Sequence, residues 1–453
     1  MTDCFEVEIE SLNLDGRGIA HRDGKTVFID GALPGERIRY QLEKSKPCYE
    51  VGRSLTVLRH SSDRVTPHCA HFGFVQGTCG GCSLQHLSAK AQLALKQRAL
   101  EDTLWQMARV RPQRMLAPID GPTWGYRHRA RLSARYVQRK QSMLVGFRER
   151  ARSFVADMQS CAILPDRISN LLMPLRKLIA GLSIRDRVPQ IEVAIGVQTV
   201  VLVLRVLDPP NMDDCEALLQ FGRTYQISMW LQPGGPDTVA PMNSEESDIL
   251  SLELSEFGVI LPFSPTDFTQ INHQINTALV GHAIELLKPK ADDVIVDFFC
   301  GLGNFTLPLA TRARCVIGLE GSDALVARAE LAAHKNNLNH KTIFTACDLF
   351  KWSQEAWKAL LQTISDLDGR PGRIDRVLID PPRAGALAVV EALATTTTPL
   401  QKVVYVSCNP ATLARDAAVL VHKGGLRLCA AGVVNMFPHT AHVESIAVFE
   451  PEA

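Results

Sequence analysis

The stretch DVIVDFFCGLGNF, residues 293–305, decides how this chain is read. Val294, Ile295 and Val296 make an apolar, largely β-branched run of the kind that sits inside a parallel sheet. The run ends at Asp297-Phe298, and the turn Gly301-Leu302-Gly303 then opens a helix. Glycines there let the backbone approach a ligand closely. The pattern is GxGN and not the GxGxxG that binds a pyrophosphate. A second apolar strand, RCVIGLEG, ends at Glu320, 23 residues after Asp297. An acid at that place accepts hydrogen bonds from ribose hydroxyls. A strand, a glycine turn and an acid suit NAD or S-adenosylmethionine.

Working outward, the same grammar repeats. RVLIDPP ends at Asp380 and KVVYVSCNP delivers Cys408, each after an apolar strand. Ahead of them NHQINTALVGHAIELL has a helical pattern. Strands alternating with helices predict a Rossmann-like, doubly wound and mostly parallel α/β sheet. Ligands of such sheets lie beyond the carboxyl ends of the strands, so these motifs point at one crevice.

Asp380-Pro381-Pro382 resembles the Asp/Asn-Pro-Pro of enzymes that methylate exocyclic amines. Those carry an aromatic ring next, whereas this chain has Arg383. Cys408 offers a different chemistry. A buried cysteine is most often a small hydrophobe. A cysteine beside a methyl donor has another use. Pyrimidine C5 is a poor nucleophile until a thiolate adds to C6 and places charge at C5. After methyl transfer a base must take the C5 proton so that the thiolate can leave. Glu444, in HVESIAVFE, is the candidate base; its alternative is a solvated strand carboxylate.

Before this region the chain changes character twice. Residues 5–58 read as short strands broken by turns, which fits a five-stranded OB-like barrel. Residues 68–86 are rich in cysteine and histidine. Cys69, Cys79 and Cys82 form C-x9-C-x2-C, and Cys161 follows alone. Four thiolates suit an iron-sulfur cluster or tetrahedral zinc, and His68, His71 and His86 keep zinc open. Residues 88–111 read as a helix with Leu93, Leu100, Leu104 and Met107 on its apolar face. Residues 124–262 read mostly as strands. Within them, residues 125–152 hold nine Arg or Lys and one acid, Glu149, with Trp124, Tyr126, Tyr136 and Phe147 interleaved. Such a mixture suits phosphates and unpaired bases.

The whole chain has 453 residues, a net charge of +1 and 12 cysteines. Its acidic start is unlike an export signal, and no apolar run reaches the ~18 residues of a membrane span. A cytoplasmic protein is expected, with its cysteines as thiols or metal ligands and not disulfides.

DFFCGLGNF, GLEG, LIDPPRAG, YVSCNP and HVES, in this order and spacing, resemble the RNA uracil-C5 methyltransferases. The resemblance covers essentially the whole chain. It is nearest to members that act on 23S ribosomal RNA and carry a TRAM barrel and a four-cysteine [4Fe-4S] cluster. The tRNA paralogue lacks both features, and the other 23S paralogue lacks the barrel. The resemblance implies 1–60 as a TRAM domain, 61–262 as a central iron-sulfur and RNA-contact domain, and 263–453 as the catalytic domain. The helix at 88–111 is expected to pack on the last of these. Cys408 matches the nucleophile and Glu444 the base. Gln270, Phe299, Asn304, Glu320 and Asp380 match contacts to S-adenosylmethionine, with Asp348 where the family has a polar residue, often Asn. Cys69, Cys79, Cys82 and Cys161 match the cluster ligands, although relatives usually have five residues where this chain has nine between the first two. The implied partner is one uracil of 23S ribosomal RNA, not DNA or a membrane, and a monomer is expected. Two alternatives remain: an RNA-binding or RNA-folding protein with a relict methyltransferase domain, and the same chemistry on tRNA.

Overall fold

The computed structural model describes residues 3–13, 15–243, 250–368, 372–396 and 400–452. The C-terminal sheet has the strand order Thr342–Ala346, Cys315–Glu320, Val294–Phe298, Arg376–Ile379 and Lys402–Ser407, all parallel. Glu444–Pro451 and Leu426–Val434 then continue it antiparallel. The order reverses beside Val294–Phe298, and a crevice forms at that switch point. Both faces are covered. Leu279, Val280 and Ile284 of the helix His273–Leu287 pack on one face, together with the hairpin Leu250–Leu254 and Val259–Phe263. Trp357, Val389 and Leu413 pack on the other. Burial on both faces explains why these strands are continuously apolar and do not alternate.

The helix Ala89–Ala108 lies on this second face, and the short strand Arg114–Met115 extends the far edge of the sheet. Both fall within the 61–262 span assigned to the central unit. The buried face of this helix is Gln92, Lys96, Leu100, Leu104 and Ala108, spaced by four. It corrects the expected stripe: Leu93 is only half-buried and Met107 is 59% exposed. Two polar residues replace leucines because they bond to a loop of the C-terminal sheet, described below.

The central part is a six-stranded sheet with its own core around Leu132, Val145, Ile191 and Leu202. The run IEVAIGVQTVVLVLRVL folds as the hairpin Gln190–Ile195 and Val200–Arg205, as expected. The reading of 124–262 as mostly strand overlooked two helices, Leu172–Gly181 and Met212–Tyr225. Pro174 disguises the first, yet proline is tolerated in a first helical turn. The second begins with an Asn211/Asp214 capping box.

At the N-terminus the strand Cys4–Glu8 pairs with Arg37–Ser45. The chain then bends, Glu10 N–H donates to Ile19 O at 2.9 Å, and Ser11–Leu12 pairs with Arg17–Arg22. One bent strand thus closes the barrel along both edges, which makes the six assigned strands a five-stranded barrel. Among the described residues no helix is long and apolar enough to cross a membrane.

Candidate active site

The carboxyl ends of the parallel strands open on a cavity of about 970 Å³. Gln270, Phe299, Asn304, Glu320, Asp348 and Asp380 line it, and so do Cys408 and Glu444. Residues up to 174 positions apart in sequence therefore share one space.

The glycine turn builds one half. Gly301 and Gly303 have φ of 56° and 86°, the left-handed region open to glycine. Phe299 also sits there, at 63°, a strained conformation for a residue with a Cβ. Its ring lies 5.8 Å from that of Phe350. The Gly301 N–H donates to Glu320 Oε2 at 3.1 Å, and the Gly321 N–H donates to Oε1 at 2.8 Å. The carboxylate is thereby fixed, with lone pairs to spare for a diol. Asn304 exchanges two amide hydrogen bonds with Asn276, at 2.8 and 3.0 Å. Asn276 escaped the sequence reading, since one asparagine in a helical run carries no signal. Asp348 is at the exposed rim. Its Oδ1 accepts from the Phe350 N–H, and Lys351, 3.2 Å away, holds its carboxyl below the usual range.

The other half carries the reactive groups. Cys408 follows the last residue of Lys402–Ser407 and precedes Asn409, which caps the helix Pro410–His422 through its side chain. Asn409 Nδ2 also donates to Arg383 O at 3.2 Å, tying this turn to the one after Asp380. Ser407 pairs with Ser445 across the antiparallel ladder, so Cys408 and Glu444 sit one step beyond that pair. Register alone brings them together.

Electrostatics there are unusual. Burial, and next Asp380, push the Glu444 carboxyl up to about 8. Burial pushes Asp380 up to about 7. The Cys408 thiol rises to about 11, through burial first and then through Glu444 and Asp380, with Arg383 opposing. Perturbed groups clustered in a cleft mark a functional site. Arg383, which lines the cavity, approaches His442 Nδ1 to 2.7 Å. Neither was assigned a role from sequence.

A second, smaller cavity is apolar and internal. Cys69, Cys79, Cys82 and Cys161 line it, with Phe72, Phe147 and Met158. Burial pushes the Cys82 thiol up to about 12 and Cys161 up to about 11. The Gly81 N–H donates to Cys79 Sγ at 3.4 Å. The long Cys69–Cys79 spacing is absorbed by a turn: Thr78 N–H and Oγ1 both donate to Val75 O, and Cys79 N–H returns to His71 O. Of His68, His71 and His86, only His71 has a hydrogen-bonded ring nitrogen among the described residues; both ring nitrogens of His86 are buried without a partner. His71 Nε2 accepts from the Gln159 N–H, His68 packs on Trp124, and His86 stacks on Phe72. Among the described residues, no three of His, Cys, Asp and Glu converge to hold a single metal ion.

The basic stretch divides. Arg129 is mostly buried, donates to Pro265 O at 3.0 Å and lies 4.0 Å from Glu192. Arg150 donates to Gly73 O and Cys82 O. These two are internal braces. Arg131, Arg135, Arg139, Lys140, Arg148 and Arg152 are exposed.

Comparison with known proteins gives the family and the fold. The model of the tRNA (Uracil-5-)-methyltransferase family matches residues 90–451, and that of the TRAM domain matches residues 3–53. A 23S rRNA (uracil(1939)-C(5))-methyltransferase RlmD of Bordetella parapertussis is 53% identical over 446 residues, 98% of this chain and 92% of that protein. One from Burkholderia pseudomallei is 52% identical over 455 residues, 98% and 94% of the two chains. The structure of Pyrococcus abyssi tRNA (uracil-54, C5)-methyltransferase superposes with a TM-score of 0.72 at 23% identity, covering 98% of this chain and 100% of that one, which shows a shared fold. The chain belongs to the tRNA (uracil-5-)-methyltransferase family and carries a TRAM domain at its N-terminus.

Proposed function

We propose that this protein methylates C5 of a uracil in 23S ribosomal RNA, with S-adenosylmethionine as donor. The observation that carries the chemistry is the placement of Cys408 and Glu444 in one cavity with the glycine turn and Glu320. Full-length relatives named for uracil 1939 of 23S rRNA support that target. The TRAM match supports RNA binding, and the full-length relatives named for 23S rRNA favour ribosomal over transfer RNA. The relict-domain alternative leaves the joint presence of nucleophile, base and donor crevice without a use.

The crevice suits the donor. Glu320 is preset for the ribose diol, Phe299 and Phe350 offer apolar faces, and Gln270, Asn304, Asp348 and Asp380 supply polar contacts. S-adenosylmethionine, when bound, supplies the electrophilic methyl group that C5 accepts. The chain does the rest. The Cys408 thiol loses its proton to solvent as its sulfur bonds to C6, which converts the ring to an enolate reactive at C5. Glu444 later takes the C5 proton, the C6–S bond breaks, and the thiolate is regenerated. The target base must leave its stack to reach a cysteine at a strand end.

The four cysteines suit a [4Fe-4S] cluster: they line one apolar cavity, and Cys79 already accepts an N–H bond. When bound, the cluster supplies a four-point tie between residues 69–82 and 161, and no step of methyl transfer needs its electrons.

The test is the fate of the RNA adduct. Cys408→Ala should give neither 5-methyluridine nor a protein–RNA bond. Glu444→Gln should form the bond, methylate, and stall as a slow band on a denaturing gel. Normal turnover by Glu444→Gln, or an adduct with Cys408→Ala, would overturn the roles.

A further inference from the structure

Lys96 is 1% exposed, an expensive place for an ammonium group. Its Nζ donates to Asn435 Oδ1 at 3.0 Å and to Phe437 O at 2.8 Å. Both acceptors are neutral, and among the described residues no carboxylate lies within ion-pair distance of it. Asn435 Nδ2 in turn donates to Asp120 Oδ1 at 2.8 Å. Phe437 lines the same cavity as Glu444, so the bonds of Lys96 end on the segment that leads into the proposed base. Its neighbour one turn earlier, Gln92, grips that segment too: the His439 N–H donates to Gln92 Oε1 at 2.8 Å.

We propose that Lys96 is a positioning residue of the reaction, which anchors residues 435–437 and places a buried positive charge that favours the ionised Glu444 needed to accept the C5 proton. The idea rests on the reading of Glu444 as base.

The charges around the pair are few. Glu444 is acted on by Asp380, Arg383 and Lys96; Lys96 is acted on by Asp120 and Glu444. Lys96 and Arg383 also act on His442, and Lys96 on His439. Asp380 pushes the Glu444 carboxyl up, while Arg383 and Lys96 pull it down. Arg383 is exposed, so solvent and salt screen it. Lys96 acts from inside the protein, and because burial brings its own ammonium down to about 8, its field acts on Glu444 below that pH. A base that burial holds protonated up to about pH 8 loses activity as pH falls through that value. Lys96 is one of the two cations that pull against that rise, so its removal should move the loss to still higher pH.

The experiment follows release of the covalent RNA adduct against pH in single-turnover reactions. Lys96→Met should still form the adduct. Release should slow about 10-fold at pH 7, with the midpoint moved up by roughly one unit and the rate approaching the parent's only at about pH 10. Lys96→Arg should restore the midpoint. Asn435→Ala removes a bond but leaves the charge, so it should not move the midpoint even if Lys96→Met folds poorly. A slowdown of Lys96→Met equal at every pH, or a midpoint that moves as far in Asn435→Ala, would reduce Lys96 to a structural tie. A Glu444→Gln variant that stalls beside a Lys96→Met variant that releases normally sinks this idea alone. A Glu444→Gln variant that releases normally sinks the assigned base itself.

Discussion

The methyl-donor crevice and the cysteine cavity are both pockets lined by reactive side chains, yet they are assembled in opposite ways. The crevice takes its groups from the ends of neighbouring strands in one sheet, so backbone hydrogen bonding places them before any ligand arrives. The cysteine cavity takes three groups from an irregular segment, residues 69–82, and one from residue 161. Little regular structure holds that segment. The comparison teaches that sites at strand ends are preorganised by the fold, whereas a site between loops helps to make its own fold.

The two regions also touch. Ser83 and Leu84 N–H groups both donate to His439 O, and the Trp124 ring stacks on His439 at 3.9 Å. The Tyr126 hydroxyl donates to Pro438 O. The chain just after Cys82 thus holds the loop that leads to Glu444.

The sharpest test of this contrast is Cys82→Ser. With a cluster ligand lost, anaerobically purified protein should lose its brown colour, iron and acid-labile sulfide, and melt more than about 5 °C lower. Donor affinity by calorimetry should stay within about twofold, because the crevice is built elsewhere. A colourless parent protein containing stoichiometric zinc would break the comparison at its root.

The converse change is Glu320→Gln. Its two N–H bonds hold a charged acceptor, worth about 1.5–3 kcal/mol when donor hydroxyls add to them. Donor affinity should fall at least about 10-fold, while iron content and melting stay near the parent. A Glu320→Gln protein that binds the donor normally would remove the ribose assignment.

The smallest effect belongs to the basic surface. Arg131 is 69% exposed and bonds to Glu192 at 2.8 Å, a pair of little consequence for stability. Arg131→Ala should weaken RNA binding modestly and lower the log-log salt slope by about one. Arg129→Ala should act instead on stability, since Arg129 braces Pro265 from inside. An unchanged slope in Arg131→Ala would place the RNA elsewhere.

Much of the crevice was legible because its signals are local. Val294–Phe298 followed by Gly301 and Gly303 announces a strand, a turn and a helix, and Glu320 ends the next strand. Gln92 and Lys96 were illegible for the opposite reason. On a helix of otherwise ordinary amphipathicity they look like solvent-facing residues; Lys96 is buried against residues 435–437, more than 330 positions away, and Gln92 bonds both to residue 439 and to the Leu84 and Leu87 carbonyls. The two central helices were missed because Pro174 and a polar cap read as breaks in a strand-rich stretch.

The sequence by itself determined the doubly wound sheet, the barrel ahead of it and the strand-end residues Glu320, Asp380 and Cys408 of the crevice. Periodicity, glycine turns and strand ends are properties of a few consecutive residues, and short-range sterics dictate them. Tertiary structure alone decided that Cys408 and Glu444 share one cavity, that burial and Asp380 push both acids up, and that Lys96 is buried against the segment leading to Glu444. Those facts depend on strand register, on exclusion of water and on a helix docking from the far end of the chain. No local pattern encodes a long-range field in a dry site; it exists only once the chain has closed around it.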